Sequence, residues 1–145
     1  MGLVLALYIY TSSVKPSRSV NRAVPTLEEQ VQEALSNIQN GESPEAQMKG
    51  VLQMRSLADA NPENADLQWH MGLFSMQTGQ YEKAVSRFEK VISLDANRHQ
   101  AYMQMAVSYS ALQDTSNARR VLSALIEKSE GDLQATAELM LEKLK

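Results

Sequence analysis

The chain has 145 residues, a formal net charge of −3 and no cysteine. That length suffices for one domain with a real core, and the missing thiols exclude disulfides and thiol chemistry while leaving the compartment open. Lys15, Arg18 and Arg22 precede Thr26 without an acid, whereas the rest carries eleven basic against seventeen acidic residues, a net −6 that offers nucleic acid no basic face.

Residues 1–10 hold an uninterrupted apolar run, Leu3–Tyr10 (LVLALYIY). It is shorter than the roughly 20 apolar residues a spanning helix needs. It lacks the basic flank and small-residue cleavage site of a signal peptide, and Ala6 stands where a myristoylation motif wants Ser or Thr. Three readings stay open: the last third of a membrane anchor with Tyr8 and Tyr10 at the interface, a helix docked on the protein, or a segment foreign to the natural chain. As an anchor, the run would have Lys15, Arg18 and Arg22 on its C-terminal side, which favours a cytoplasmic domain. Residues 11–25, rich in Ser, Val, Arg and Pro and without a period, read as a linker.

The domain is expected over residues 26–145. Thr26 with Glu29 three residues on is a capping box that opens a helix to about Asn40, with Leu27, Val31, Leu35 and Ile38 as its buried stripe. Asn40-Gly41-Glu42 breaks it. Ser43-Pro44 opens a second helix to about Ala60, whose apolar face draws on Met48, Val51, Leu52, Met54, Arg55, Leu57 and Ala58. Asn64 caps a third helix over about Ala65–Thr78, Gly79 makes a turn, and Tyr81–Asp95 buries Ala84, Val85, Phe88, Val91 and Ile92 at helical spacing.

The same pattern then returns. Laying His99–Asp132 on Ala65–Arg98 at an offset of 34 brings Met71 onto Met105, Gly72 onto Ala106, Ala84 onto Ala118, Phe88 onto Leu122, Val91 onto Leu125 and Ile92 onto Ile126. A self-match at that period marks a helix-turn-helix solenoid, in which neighbours stack to bury a continuous core. Small residues at 72 and 84 let two helices approach closely while Tyr81 and Phe88 fill the space beside them. Gln113 replaces the turn glycine in the second unit, where Asp114 to Asn117 supply capping oxygens. Residues 27–64 form a degenerate first repeat: Gly50 falls on Ala84, but Gly41 and Gly79 are 38 apart, so its second helix is about one turn longer. Residues 133–145 form a capping helix, with Asp132 as its N-cap and Leu133, Ala137, Met140, Leu141 and Leu144 on one face.

Trp69, Gly72, Gly79, Tyr81, Ala84, Phe88 and Leu94-Asp95 make the segment resemble a tetratricopeptide repeat. The resemblance implies an all-α, right-handed superhelical solenoid of about three helical pairs plus the cap. It also implies protein binding rather than catalysis. Short N-terminally anchored bacterial members of the family, such as the cytochrome-c-assembly type, commonly face the periplasm, which opposes the charge-based topology.

No enzymatic constellation accompanies the fold. His70 and His99 form no HExxH and have no carboxylate at ligand spacing, there is no glycine-rich phosphate loop, and the paired glutamates are spaced like solvated helix ends. No cofactor or metal is expected. The family's first helices line a concave side, which here carries Asp66, Trp69, Leu73 and Met76 from one repeat and Gln100, Met103, Val107 and Ser110 from the next, with Gln104 at the edge. Five apolar side chains in that row imply a binding site, or a groove filled by the terminal helix, the N-terminal segment or a second copy. One subgroup of the family clamps acidic chaperone tails with lysine and asparagine; Trp69 and Leu73 stand in those places and favour an apolar or amphipathic segment instead. The expected function is an adaptor for a protein or peptide partner near a membrane. The alternatives are a homo-oligomerisation module and a non-catalytic subunit of an assembly such as a cytochrome-c-biogenesis-type complex.

Overall fold

Seven helices in chain order build the domain in a computed structural model, which describes residues 24–144. They are α1 (Leu27–Asn40), α2 (Pro44–Ala60), α3 (Ala65–Gln77), α4 (Tyr81–Leu94), α5 (His99–Ala111), α6 (Thr115–Lys128) and α7 (Gly131–Lys143). Helices α1 and α2, α3 and α4, and α5 and α6 pack as hairpins, and α7 lies against α6 as a cap. The array is an all-α tetratricopeptide-like solenoid.

Local chemistry sets the helix starts. The Thr26 hydroxyl accepts from the Glu29 amide while the Glu29 carboxylate accepts from the Thr26 amide, which closes the capping box. Ser43 caps α2 ahead of Pro44, and Asn64 Oδ1 accepts from the amides of Asp66 and Leu67; each such cap contributes about 1 kcal/mol. Asp114 accepts from both the backbone and side chain of Asn117, which holds its carboxyl below the usual carboxylate range. In the turn before it, Gln113 takes the left-handed backbone (φ 60°) that Gly79 takes at φ 72°. A side chain there is strained where glycine is not, so the second repeat has the costlier turn.

Two hairpins close around residues without side-chain bulk. A Cβ on Gly72 would stand 2.6 Å from the Phe88 ring, and one on Gly50 would stand 2.7 Å from the Ala34 carbonyl oxygen. The core is divided accordingly. One cluster joins α4 to α7 through Ala84, Phe88, Val91, Tyr102, Met105, Leu122, Leu125 and Ala137. A separate, smaller one holds Ala34, Met54, Ala58, Leu67 and Met71 of α1, α2 and α3.

Three expectations are corrected. Helix α7 begins at Gly131, not Leu133, and Glu130 rather than Asp132 holds its N-cap position, with no side-chain hydrogen bond. Ser129 leaves the helical conformation (φ −118°, ψ 163°) and Gly131 takes the left-handed backbone at φ 64°, so the chain turns two residues early. The apolar residues of α2 do not share one face: Gly50, Met54 and Ala58 are buried, while Met48 and Leu52 are 57% and 56% exposed. The membrane anchor is overturned as well, together with the membrane association, periplasmic placement and bacterial type that depended on it. Among the described residues no helix is long and apolar enough to cross a membrane. The Leu3–Tyr10 run and most of the linker lie outside them.

Candidate partner-binding surface

The sequence-predicted row lies on α3 and α5, the first helices of adjacent hairpins. Trp69, Leu73, Met76 and Met103 are half-buried and pack against the α4–α7 cluster, each keeping part of its surface open. The Trp69 and Phe88 rings meet at a centroid distance of 5.5 Å and 58°, a tilted arrangement suited to aromatic quadrupoles. Val107 is half-buried on α5. The apolar row is thus a shallow surface braced from beneath rather than five freely exposed side chains.

Its polar members divide. Asp66 is exposed at the start of α3 and binds the Arg98 guanidinium at 2.7 Å, tying the beginnings of α3 and α5 together. Gln100 is exposed in the first turn of α5. Gln104 is half-buried, and its carbonyl accepts from the Ser108 hydroxyl at 2.8 Å; Ser110 donates to the Ala106 carbonyl at 2.9 Å. Ser110 is therefore occupied within its own helix.

The structure adds a feature that periodicity could not supply, a set of clefts where the first hairpin meets the second. One, of about 510 Å³, lies between α1 and α3 and is lined by Leu27, Val31, Asp66, Leu67 and His70. Its neighbour, about 310 Å³, is lined by Leu35, Ile38, Met54, His70, Leu73 and Phe74. Asp66 and Leu73 from the predicted row reach these clefts. His70, which belongs to no ligand motif in the sequence, lines both. Burial is the main cause holding its imidazole below the ordinary value of 6.5, with Asp66 opposing and Arg98 adding to the shift.

On the opposite side of the same seam, Gln68 is 3% exposed. Its Nε2 donates to the carbonyls of Ala58 and Pro62, and its Oε1 accepts from Arg87 at 2.6 Å. Arg87 also faces Asp59 at 3.6 Å. This polar clasp joins α2, α3 and α4. Among the described residues no group of three or more His, Cys, Asp or Glu is arranged to hold a metal ion.

Comparisons with known proteins agree with this geometry. No curated protein matches the chain. A solved structure described as the first TPR of Spaghetti (RPAP3) bound to the HSP90 peptide SRMEEVD superposes with a TM-score of 0.60 at 20% identity, over 79% of this chain and 91% of that one. Residues 75–140 match the tetratricopeptide repeat family model. The match leaves out α1, α2 and most of α3, so the likeness in sequence begins at the end of α3, while the likeness in fold extends over 79% of the chain.

Proposed function

We propose that this protein is a non-enzymatic adaptor that holds an apolar or amphipathic segment of a partner protein against α3 and α5. The observation that carries the reading is the row Trp69, Leu73, Met76, Met103 and Val107, half-buried on the first helices of two adjacent repeats, with the first four packed on the α4–α7 cluster. Such surfaces offer large apolar area at little ordering cost, and tryptophan and methionine adapt to varied partners. Asp66, Gln100 and Gln104 supply polar contacts at the margin, and the Asp66–Arg98 pair fixes the spacing of the two helices. The TPR in the solved structure holds a peptide ending Glu-Glu-Val-Asp. Here the positions corresponding to the clamp's first lysine and asparagine are Trp69 and Leu73, which bring no positive charge to a carboxylate.

Panning a display library of peptides against the domain, followed by titration of the selected segment, tests the reading. The selected peptides carry apolar residues at helical spacing, Met103→Gln weakens them, and Leu52→Ser on α2 does not. Trp69→Ala weakens them by about 2 kcal/mol or more and also lowers stability, because the ring rests on Phe88. SRMEEVD itself does not bind. A selection in which no peptide depends on Met103 and Trp69 overturns the proposal, as does tight binding of SRMEEVD.

A further inference from the structure

The repeat supplies its own control for the outer surface. At an offset of 34 the exposed row on the second helices reads Met48, Leu52 and Arg55 on α2, Glu82, Ser86 and Glu89 on α4, and Ser116, Arg120 and Ser123 on α6. All nine residues are exposed, and only on α2 are two of them large and apolar. The fold therefore does not require apolar residues there, since the other two hairpins place polar residues at the same positions. Met48 and Leu52 edge a cleft of about 620 Å³ floored by Val51, Met71 and Phe74 and closed on its far side by Lys83, Ser86 and Arg87 of α4. A shallower hollow of about 450 Å³ extends it along α2 past Pro44 and Lys49.

The charge at this cleft is opposite in sign to that of the chain. Arg55, Lys83 and Arg87 line it and no acidic side chain does, in a chain of net charge −3. Glu45 stands at the end of the adjoining hollow, beyond Lys49. Arg87 is committed to Gln68 and Asp59. Among the described residues Lys49, Arg55 and Lys83 form no ion pair. An apolar trough rimmed by unpaired cations selects a ligand that is apolar along one line and acidic beside it.

We infer that the α2–α4 face is a second docking surface, for an acidic amphipathic helix of a partner protein. That helix lays its apolar side chains over Met48, Leu52 and Phe74 and its carboxylates toward Arg55, Lys83 and Lys49. The site shares no residue with the row on α3 and α5, so an adaptor could hold two chains at once.

The probe is a fluorescent, N-acetylated helical peptide of about 18 residues with leucines at i, i+3, i+4 and i+7 spacing flanked by glutamates. Its companion carries lysines in place of the glutamates. The acidic peptide binds the full chain, binds at least tenfold more tightly than the basic one, and weakens as salt rises. The paired substitution Met48→Glu and Leu52→Ser, and separately Arg55→Glu, each reduce its affinity at least tenfold. These changes install the residues of Glu82, Ser86 and Glu89 at equivalent positions, so an unchanged thermal transition is expected. Met103→Gln leaves the affinity unaltered.

Equal binding of both peptides, no binding up to about 1 mM, or loss of binding on Met103→Gln each overturns the inference. So does sedimentation showing a dimer that Met48→Glu with Leu52→Ser abolishes, since a second copy would then cover the face. The adaptor reading for α3 and α5 fails on different measurements and is untouched by these.

Discussion

The junction between α2 and α3 and the junction between α4 and α5 occupy equivalent places in the repeat, yet they are built differently. At the second, Tyr102 is buried and continuous with Val85, Phe88 and Val121 in one cluster. At the first, position 68 holds glutamine in place of the tyrosine at 102, and the buried amide is satisfied by a clasp to Arg87 and two carbonyls. Position 74 holds phenylalanine where position 108 holds a fully buried serine. Phe74 lines the clefts on both sides of its seam. A bulky ring and a polar clasp hold the first hairpin at a distance, whereas small and aromatic residues draw the second and third together. The difference teaches that a solenoid of uniform outline can be energetically uneven. Nearest-neighbour interface terms set its stability, and here one interface is polar and hollow.

The sharpest way to break that comparison is to cut each core at its matching residue. Phe88 is 0% exposed and Met54 2% exposed, at equivalent positions on α4 and α2. Phe88→Ala removes a ring that meets both Gly72 and Trp69 and costs about 3–5 kcal/mol, lowering the urea midpoint for the whole molecule. Met54→Ala costs about 2–5 kcal/mol, confined to the first cluster. In amide exchange, α1 and α2 lose protection in the Met54 variant while α4 to α6 keep theirs, because locally coupled units open separately. Uniform loss of protection in both variants would show one cooperative core in place of two.

Less drastic is overpacking at Gly72. Its missing Cβ would fall 2.6 Å from a ring carbon that is itself fixed by Trp69. Gly72→Leu is expected to lower stability by about 1–3 kcal/mol or more, with the loss appearing in α3 to α6 by amide exchange. An unchanged melting temperature would mean that the α3–α4 contact is not the close one described.

Much of this was legible in the sequence, and the limits are instructive. The period of 34, the caps at Thr26, Ser43 and Asn64, and the small-large pairing of Gly72 with Phe88 are local or strictly repeated, so pattern alone locates them. The start of α7 was not legible, because the backbone leaves the helix at Ser129 and turns through the left-handed Gly131, and Asp132 only looks like a cap. The two apolar stripes of α2 were legible only through the repeat. Met48 and Leu52 are spaced like core residues, but the offset of 34 lays them on Glu82 and Ser86 while Gly50, Met54 and Ala58 fall on Ala84, Phe88 and Ile92. The hollow seam was hidden. Substituting Gln68 for Tyr102 or Phe74 for Ser108 reads as tolerable drift until both residues are found at one interface.

The smallest expected effect concerns His70, in the clefts of that seam and at the position Gln104 holds in the next repeat. Burial depresses its folded-state value below the ordinary 6.5, so the unfolded chain takes up the proton first. Its contribution to stability is therefore fully present above about pH 6.5 and is lost as pH falls through the lower folded-state value. Urea midpoints for the wild type should decline over that interval, and His70→Gln should flatten the decline while leaving the midpoint at pH 8 nearly unchanged. Asp66→Asn should steepen it, because removing the carboxylate withdraws the influence that raises the imidazole and leaves burial and Arg98 opposing protonation unchecked. An equal pH slope in all three proteins would place His70 in solvent and close the hollow seam to the imidazole.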